Sequence, residues 1–285
     1  MRYREVVEEG DYVLVYVDPR RRKVVRVSRG AKFESDKGFL NLESLVGLPY
    51  GSKVKLSTGI EAYVLKPTHA DLTLLLERVT QVIYPKDVGL MVVLSGVGPG
   101  SRVLEVGVGT GYLTSFLANL VRPDGLVVGY EIRPDYAAKA IKNLRKLGLD
   151  RYVVIKVGDA RECLEKPDRK FDAVFIDIPD PWNVYPKLSE VVTPSAPVIS
   201  FLPTVNQVLK ALDHIEKSSY AADVRVYEVF LREYEARREA LRPRTLSIVH
   251  TGYILFFRLI TPRPQVEGVP STSGNSISEV GRTPP

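Results

Sequence analysis

Residues Gly107-Val108-Gly109-Thr110-Gly111-Tyr112-Leu113 form a glycine-rich turn. The turn follows an apolar run, Val103-Leu104-Glu105-Val106, and opens a helical one, Tyr112 to Leu120. Glycines at a strand-to-helix turn let a ligand come close to the backbone, and the first turn of the helix offers it unpaired N–H groups. The spacing is G-x-G-x-G, and Tyr112 stands where a dinucleotide fingerprint would run on to its third glycine. That departure favours a ligand without a pyrophosphate. The plain alternative is a tight turn that happens to be glycine-rich.

Acidic residues follow at regular intervals. Glu131 ends the next apolar run, about 20 residues beyond the glycines, where a carboxylate accepts hydrogen bonds from both hydroxyls of a ribose. Asp159, beside Ala160, ends the run after that and is placed to meet an adenine amino group. Either acid alone is as well read as a solvated strand end. Together with a glycine turn, acids at successive strand ends point to one ligand-binding edge, because open α/β sheets bind ligands along that edge.

Phe171-Asp172-Ala173-Val174-Phe175-Ile176-Asp177-Ile178-Pro179-Asp180-Pro181-Trp182 is the most specific segment. An apolar strand delivers Asp177 to the same edge. Two prolines then restrict the backbone, which suits precise placement of a reactive carboxylate. The bland reading is a proline-rich loop carrying a core tryptophan.

The elements that position these residues alternate in type. Leu126 to Tyr130, Val153 to Val157, Ala173 to Ile176 and Pro197 to Leu202 read as strands. Pro134 to Leu147 and Thr204 to Lys217 read as helices, the second with Val205, Val208, Leu209, Leu212 and Ile215 on one face. Such alternation implies a mostly parallel sheet with helices on both faces. Val224 to Leu231 and Tyr253 to Leu259 fit a final antiparallel pair. Residues 1 to about 70 read differently, as short strands separated by turns: Tyr12 to Tyr16, Lys23 to Val27, Val54 to Leu56 and Ala62 to Leu65. A helix is expected from Asp71 to Arg78, beginning near Thr68. The expected organisation is a small β-rich domain over 1–70, an α/β domain over 71–262 and a disordered tail over 263–285, rich in Pro, Ser, Gly and Thr.

Composition narrows the functional classes. The 285 residues are 45% hydrophobic and 26% charged, ordinary for a soluble globular protein. Cys163 is the only cysteine and the three histidines lie far apart, which argues against a metal site. No run approaches a membrane span or a signal peptide, so a cytoplasmic location is expected. Net charge is +6, compatible with a nucleic-acid partner. Scarce Gln, Cys and Met match a thermophilic protein.

Taken together, these residues resemble the tRNA (adenine-N1)-methyltransferase family, which modifies tRNA position 58 and, in archaeal members, also position 57. The resemblance spans most of residues 1–262. It rests on Gly38-Phe39-Leu40, Leu48-Pro49-Tyr50-Gly51-Ser52, Gln81-Val82-Ile83-Tyr84-Pro85-Lys86-Asp87, the Asp177 segment, Arg242-Pro243 and His250-Thr251-Gly252-Tyr253. It implies a Rossmann-like class I methyltransferase domain with a small N-terminal all-β domain, tRNA as partner, a homotetramer, and S-adenosyl-L-methionine as cofactor. It implies cofactor contacts from Gly107 to Leu113, Glu131, Asp159 with Ala160, and Gln81, with Asp177 as the catalytic residue. Thr110 stands where many members have serine, a mild departure.

Adenine N1 carries an in-plane lone pair, so catalysis by such an enzyme is mainly alignment and stabilisation of the cation that forms. The target base is flipped out of folded tRNA. Tyr84, Trp182 and Tyr253 are candidates to stack on it, although core packing is the stronger reading for each. Arg20 to Lys23, Lys139, Lys142, Arg145 and Lys146 are candidates for phosphate contacts, against the usual reading of a solvated charged face. Two rivals remain. A protein isoaspartate methyltransferase shares the glycine turn but has no use for the Asp177 segment. A non-catalytic tRNA-binding subunit would be expected to have lost the cofactor loop and Asp177.

Overall fold

Five consecutive strands carry apolar side chains on both faces, and that pattern dictates a sheet covered on both sides. In the computed structural model, which describes residues 5–77, 81–236, 238–245 and 248–260, these strands are β7 (Arg102–Val106), β8 (Leu126–Glu131), β9 (Val153–Val157), β10 (Ala173–Ile176) and β11 (Pro197–Leu202). All five run parallel. Two antiparallel strands complete the sheet, β12 (Ala221–Tyr227) and β15 (Tyr253–Leu259), in the order β12-β15-β11-β10-β7-β8-β9. The chain moves outward from β7 to β9 and then returns to the other side of β7 with β10. The order therefore reverses between β7 and β10, and a crevice opens there at the strand ends.

Alternate residues of each strand feed two cores. On one face Val103, Ala173, Phe175, Ile199 and Phe256 meet the helices α2 (Pro85–Ser95), α3 (Tyr112–Val121) and α4 (Pro134–Lys146). On the other, Leu104, Val174, Ile176, Val198 and Phe257 meet α6 (Leu188–Val191) and α7 (Val205–Glu216), with the single turn α5 (Ala160–Cys163) beside them. Pro134 opens α4 and Arg145 and Lys146 close it, the arrangement that suits the helix dipole. Thr204 caps α7 by accepting from the Gln207 N–H at 3.3 Å.

The N-terminal residues form an antiparallel sheet in the order β2 (Arg21–Arg26), β1 (Tyr12–Asp18), β6 (Glu61–Leu65), β5 (Lys53–Lys55), plus a hairpin of β3 (Lys32–Ser35) and β4 (Gly38–Asn41). They enclose a core of their own around Val13, Val15, Phe33, Leu45 and Val64. Leu14, Val24 and Leu72 link this core to Leu147 beyond α4. His69 joins the units from the other side, its Nε2 3.2 Å from Ser115 Oγ on α3. Burial holds that imidazole down at about 4, so it is neutral at pH 7.

Two expectations change. The helix expected over 71–78 is only one α turn, α1 (His69–Leu72), followed by a 3-10 turn at Thr73–Leu75. Thr68 and Asp71 cap each other at its start. Beyond it the leucines diverge: Leu72 and Leu76 enter different cores while Leu74 faces outward, so no single stripe sustains a helix. Conversely, α2 was unexpected. It is apolar on several sides, so no face stands out; only Pro85 at its start and Gly96 at its end, φ +64°, mark it. A short pair, β13 (Tyr234–Glu235) with β14 (Arg242–Pro243), lies between β12 and β15. No described helix is long and apolar enough to cross a membrane, and the expected tail over 263–285 lies outside the described residues.

Candidate active site

The glycine turn leaves the end of β7 with Gly107, Gly109 and Gly111 at φ +90°, +56° and +83°. These are left-handed conformations that L side chains rarely adopt. At Gly107 space is also decisive, because a β-carbon there would overlap the Asp177 carbonyl. The ends of β7 and β10 are thus in backbone contact, and the Asp177 N–H donates to the Val106 carbonyl at 2.8 Å.

Glu131, at the end of β8, turns back onto the glycine turn. Its Oε2 accepts from the Gly109 N–H at 2.7 Å and its Oε1 from the Arg133 N–H at 3.0 Å. A carboxylate has about four acceptor sites, so both oxygens keep capacity for a ligand. Asp159, at the end of β9, caps α5, and its carboxylate is gripped by Arg161. Nε lies 2.8 and 2.9 Å from the two oxygens and Nη2 2.5 Å from Oδ2. The Arg161 guanidinium holds Asp159 below the usual carboxylate range. Its Nη1 also reaches Asp180 Oδ2, at 2.8 Å.

Asp177 follows β10, half-buried at the crevice. Burial, reinforced by the Glu131 carboxylate, pushes its carboxyl up to about 7. Beneath it lies Glu105, only 1% exposed, with neither oxygen hydrogen-bonded among the described residues. Burial pushes Glu105 up to about 8; the Thr114 hydroxyl, outside hydrogen-bonding geometry, opposes the shift, and the Asp177 and Glu131 carboxylates add to it.

These groups surround a cavity of about 660 Å³, walled by Gln81, Gly107, Gly109, Glu131, Asp159, Ala160 and Asp177 and continuing to Pro179, Asp180, Pro203 and Gln207. A chamber of about 30 Å³ adjoins it, bounded by Glu105, Val108, Thr110, Tyr112 and Leu113. Of the cofactor-binding and catalytic residues expected from the sequence, Gly111 alone borders neither space. It packs against Ala140 of α4, whose Cβ would lie 3.2 Å from a β-carbon at Gly111.

The aromatic candidates stand elsewhere. Trp182 is 7% exposed in the core and stacks on His214, ring centroids 5.7 Å apart. Tyr84 precedes α2, and Tyr253 opens β15 beside His250. None of the three is among the residues walling the cavity. Most basic candidates are paired outside it: Arg21 with Asp18 and Asp36, Arg22 with Asp71, Lys142 and Lys146 with Glu77.

Several supporting residues escaped the sequence reading. Asn143, fully buried in α4, donates to the Thr110 carbonyl at 2.9 Å and to the Glu77 carbonyl at 3.1 Å, and so holds the glycine turn from behind. Lys86 and Asp87 form a buried ion pair at 2.9 Å. Lys86 also donates to the Thr251 hydroxyl at 2.6 Å and the Val229 carbonyl at 2.7 Å, and Thr251 donates to Asp87 at 2.7 Å. The Tyr84–Asp87 and His250–Tyr253 segments are thus two halves of one internal knot.

A parallel sheet of this order, a glycine turn at its reversal and acids at the neighbouring strand ends define the S-adenosylmethionine-dependent methyltransferase fold. The chain belongs to the family described as tRNA methyltransferase complex GCD14 subunit, whose profile matches residues 61–253. It is 30% identical over 274 residues to the tRNA (adenine(57)-N(1)/adenine(58)-N(1))-methyltransferase TrmI of Methanocaldococcus jannaschii, covering 87% of this chain and 95% of that one. Among solved structures, tRNA (m1A58) methyltransferase TrmI from Aquifex aeolicus aligns at a TM-score of 0.78 with 31% identity, over 90% of this chain and 100% of that one. A structure named as an S-adenosylmethionine-dependent O-methyltransferase from Thermotoga maritima aligns at 0.83, also with 31% identity, over 92% and 97%.

Proposed function

We propose that this chain methylates N1 of adenosine in the T-loop of tRNA, at position 58, with S-adenosyl-L-methionine as donor. The name of the M. jannaschii relative extends the reading to position 57. The observation that carries it is Asp177, a half-buried carboxyl at the reversal of the sheet, in backbone contact with the glycine turn.

The residues present fit the cofactor. Gly107 leaves the turn open where a side chain would close it, Glu131 keeps acceptor capacity, and the adjoining chamber is lined by an unpartnered carboxyl. When bound, the cofactor supplies an electrophilic methyl carbon on a sulfonium. Glu131 holds the ribose hydroxyls, and the backbone of Gly107 to Leu113 follows the methionine part. The Asp177 carboxylate accepts a hydrogen bond from the exocyclic amine of the target adenine. That contact aligns N1 for in-line attack and stabilises the positive charge the purine gains. No base is required, because the N1 lone pair is free. A cationic ligand favours the ionised form of Asp177, which keeps it an acceptor at neutral pH.

The base enters flipped out of the tRNA, past Pro179, Asp180, Pro203 and Gln207, which wall the outer half of the cavity. Assembly as a homotetramer is supported by an apolar surface at the edge strand and beyond it: Val224, Val226, Phe230, Leu231, Leu241 and Val249 are all exposed. Work on tRNA supports a cytoplasmic location, and the scarcity of Gln, Cys and Met supports a thermophilic source.

The test is mass spectrometry of nucleosides from unmodified tRNA incubated with the protein and S-adenosylmethionine. 1-Methyladenosine, mapped to the T-loop, is the expected product. A ribose-methylated nucleoside, or no methylation, overturns the reading.

A further inference from the structure

Arg161 is a single cation between two parts of the cavity. Its guanidinium bonds Asp159, at the end of the third parallel strand, and Asp180, three residues beyond Asp177 in the proline-fixed loop. Four N–H contacts converge on the Asp159 carboxylate: the Arg161 backbone N–H at 2.9 Å, Nε on both oxygens and Nη2 on one. A carboxylate offers about four acceptor sites. Three hydrogens make these contacts, the Nε–H being shared between the two oxygens, so each oxygen already carries two contacts and an arriving adenine amine competes with the shared one. Asp180 Oδ2 is held less completely, by Arg161 Nη1 and by Asn183 Nδ2 at 2.6 Å.

We propose that Arg161 is a positioning residue that couples occupation of the adenine subsite to tightening of the Asp177–Trp182 loop. The proposal rests on the placement of adenine at Asp159 made above. An arriving adenine amine bonds one Asp159 oxygen in competition with the shared Nε–H contact and so loosens the guanidinium there. The loosened guanidinium, already bonded to Asp180 through Nη1, shifts toward it, which draws the loop carrying Asp177 toward the cofactor side. Occupying one half of the cavity thereby prepares the other. Lysine cannot substitute, because a point-charge ammonium lacks the planar fork that spans two carboxylates. Arg161 touches none of the reacting atoms.

The test uses the full chain, unmodified tRNA and S-adenosylhomocysteine, which binds without reacting. Calorimetry gives the ligand's affinity with and without saturating tRNA. The wild type should bind it at least about 5-fold tighter when tRNA is present, the lower end of typical coupling between sites. Arg161→Gln, Arg161→Lys and Asp180→Asn should each bring that ratio toward 1. S-inosylhomocysteine, with a carbonyl in place of the adenine amine, should give a ratio near 1 on the wild type, a result a merely structural role for Arg161 does not produce. A wild-type ratio of 1, a ratio unchanged in both Arg161 variants, or full coupling with the inosyl ligand overturns the proposal. Glu131→Ala is measured alongside. If it leaves S-adenosylhomocysteine affinity unchanged, the cofactor placement itself fails; if it weakens binding while the Arg161 variants keep the wild-type ratio, only the coupling fails.

Discussion

The carbonyl of Asp177 occupies the space a side chain at Gly107 would need, so the glycine turn and the Asp177 loop share one backbone contact. Gly107→Ala drives a methyl group into that carbonyl at a φ of +90°. Overpacking of this kind costs about 1–3 kcal/mol, with backbone strain in addition. The variant should unfold at lower temperature and lose measurable S-adenosylmethionine binding. A folded variant with wild-type affinity would show that the two loops are less tightly joined than this.

Asp177→Asn keeps the shape and one acceptor oxygen but removes the negative charge. Single-turnover methylation should fall by roughly 10²-fold or more, as for loss of a group that stabilises transition-state charge. Asp177→Ala should be slower still, since alignment is lost too. Wild-type rates at saturating tRNA and cofactor would remove Asp177 from the mechanism.

The raised ionisation of Asp177, at about 7, sets a pH dependence. Below neutral pH the free protein carries the protonated acid, a poorer acceptor. kcat/KM for the cofactor should therefore rise with pH through about 7 and level off above it. Glu105 lies close enough to Asp177 for the two carboxyls to titrate together, so the midpoint belongs to the pair. Asp177→Asn should flatten the rise; an unchanged slope in that variant would assign it elsewhere.

Glu105 affects stability rather than rate. Its folded value, about 8, lies above the 4.5 of an ordinary Glu carboxyl. Between those values the unfolded chain binds fewer protons than the native one, so stability falls as pH rises from 4.5 to about 8 and is level beyond. The loss amounts to a few kcal/mol, an order-of-magnitude figure. Glu105→Gln mimics the protonated acid, so it should flatten this decline and raise Tm above pH 8 relative to wild type. A Tm difference that does not change with pH would refute the buried ionisation.

Asp87→Asn should be strongly destabilising, because it strands the buried Lys86 ammonium inside the protein. Removing one partner of a buried pair costs about 3–5 kcal/mol. Denaturant unfolding reads the loss directly, and a loss under about 1 kcal/mol would mean that Thr251 and the Val229 carbonyl suffice for Lys86.

The parallel strands were legible because burial on both faces leaves continuous apolar runs, and the acids were legible because each interrupts such a run at its end. Asp177, Glu131 and Asp159 reach one cavity for that reason. Glu105 lay inside a strand, where nothing in the spacing separates a buried acid from a solvated one. Helix α2 was hidden by apolar residues around much of its circumference. Asn143 sits among lysines and arginines on what reads as a solvated helix. The Asp87–Thr251 bond joins residues 164 positions apart, a distance no local pattern spans. Arg161 has no signal of its own in the sequence, because its tie to Asp180 joins residues 19 positions apart.

The insertion of β15 between β11 and β12 has a consequence for how the protein is made. Among the described residues strand β12 has no sheet neighbour other than β15, which is translated some 26 residues later, at Tyr253–Leu259. On the ribosome, β7 to β11 can pair as they emerge, while β12 and the exposed edge of β11 wait. The sheet closes only once Tyr253–Leu259 has emerged, and Thr251, which completes the Lys86–Asp87 knot, arrives at the same moment. Translation halted before residue 250 therefore leaves a nascent chain that holds its glycine turn and acids but has β11 bare along one edge and Lys86 and Asp87 without the Thr251 hydroxyl between them.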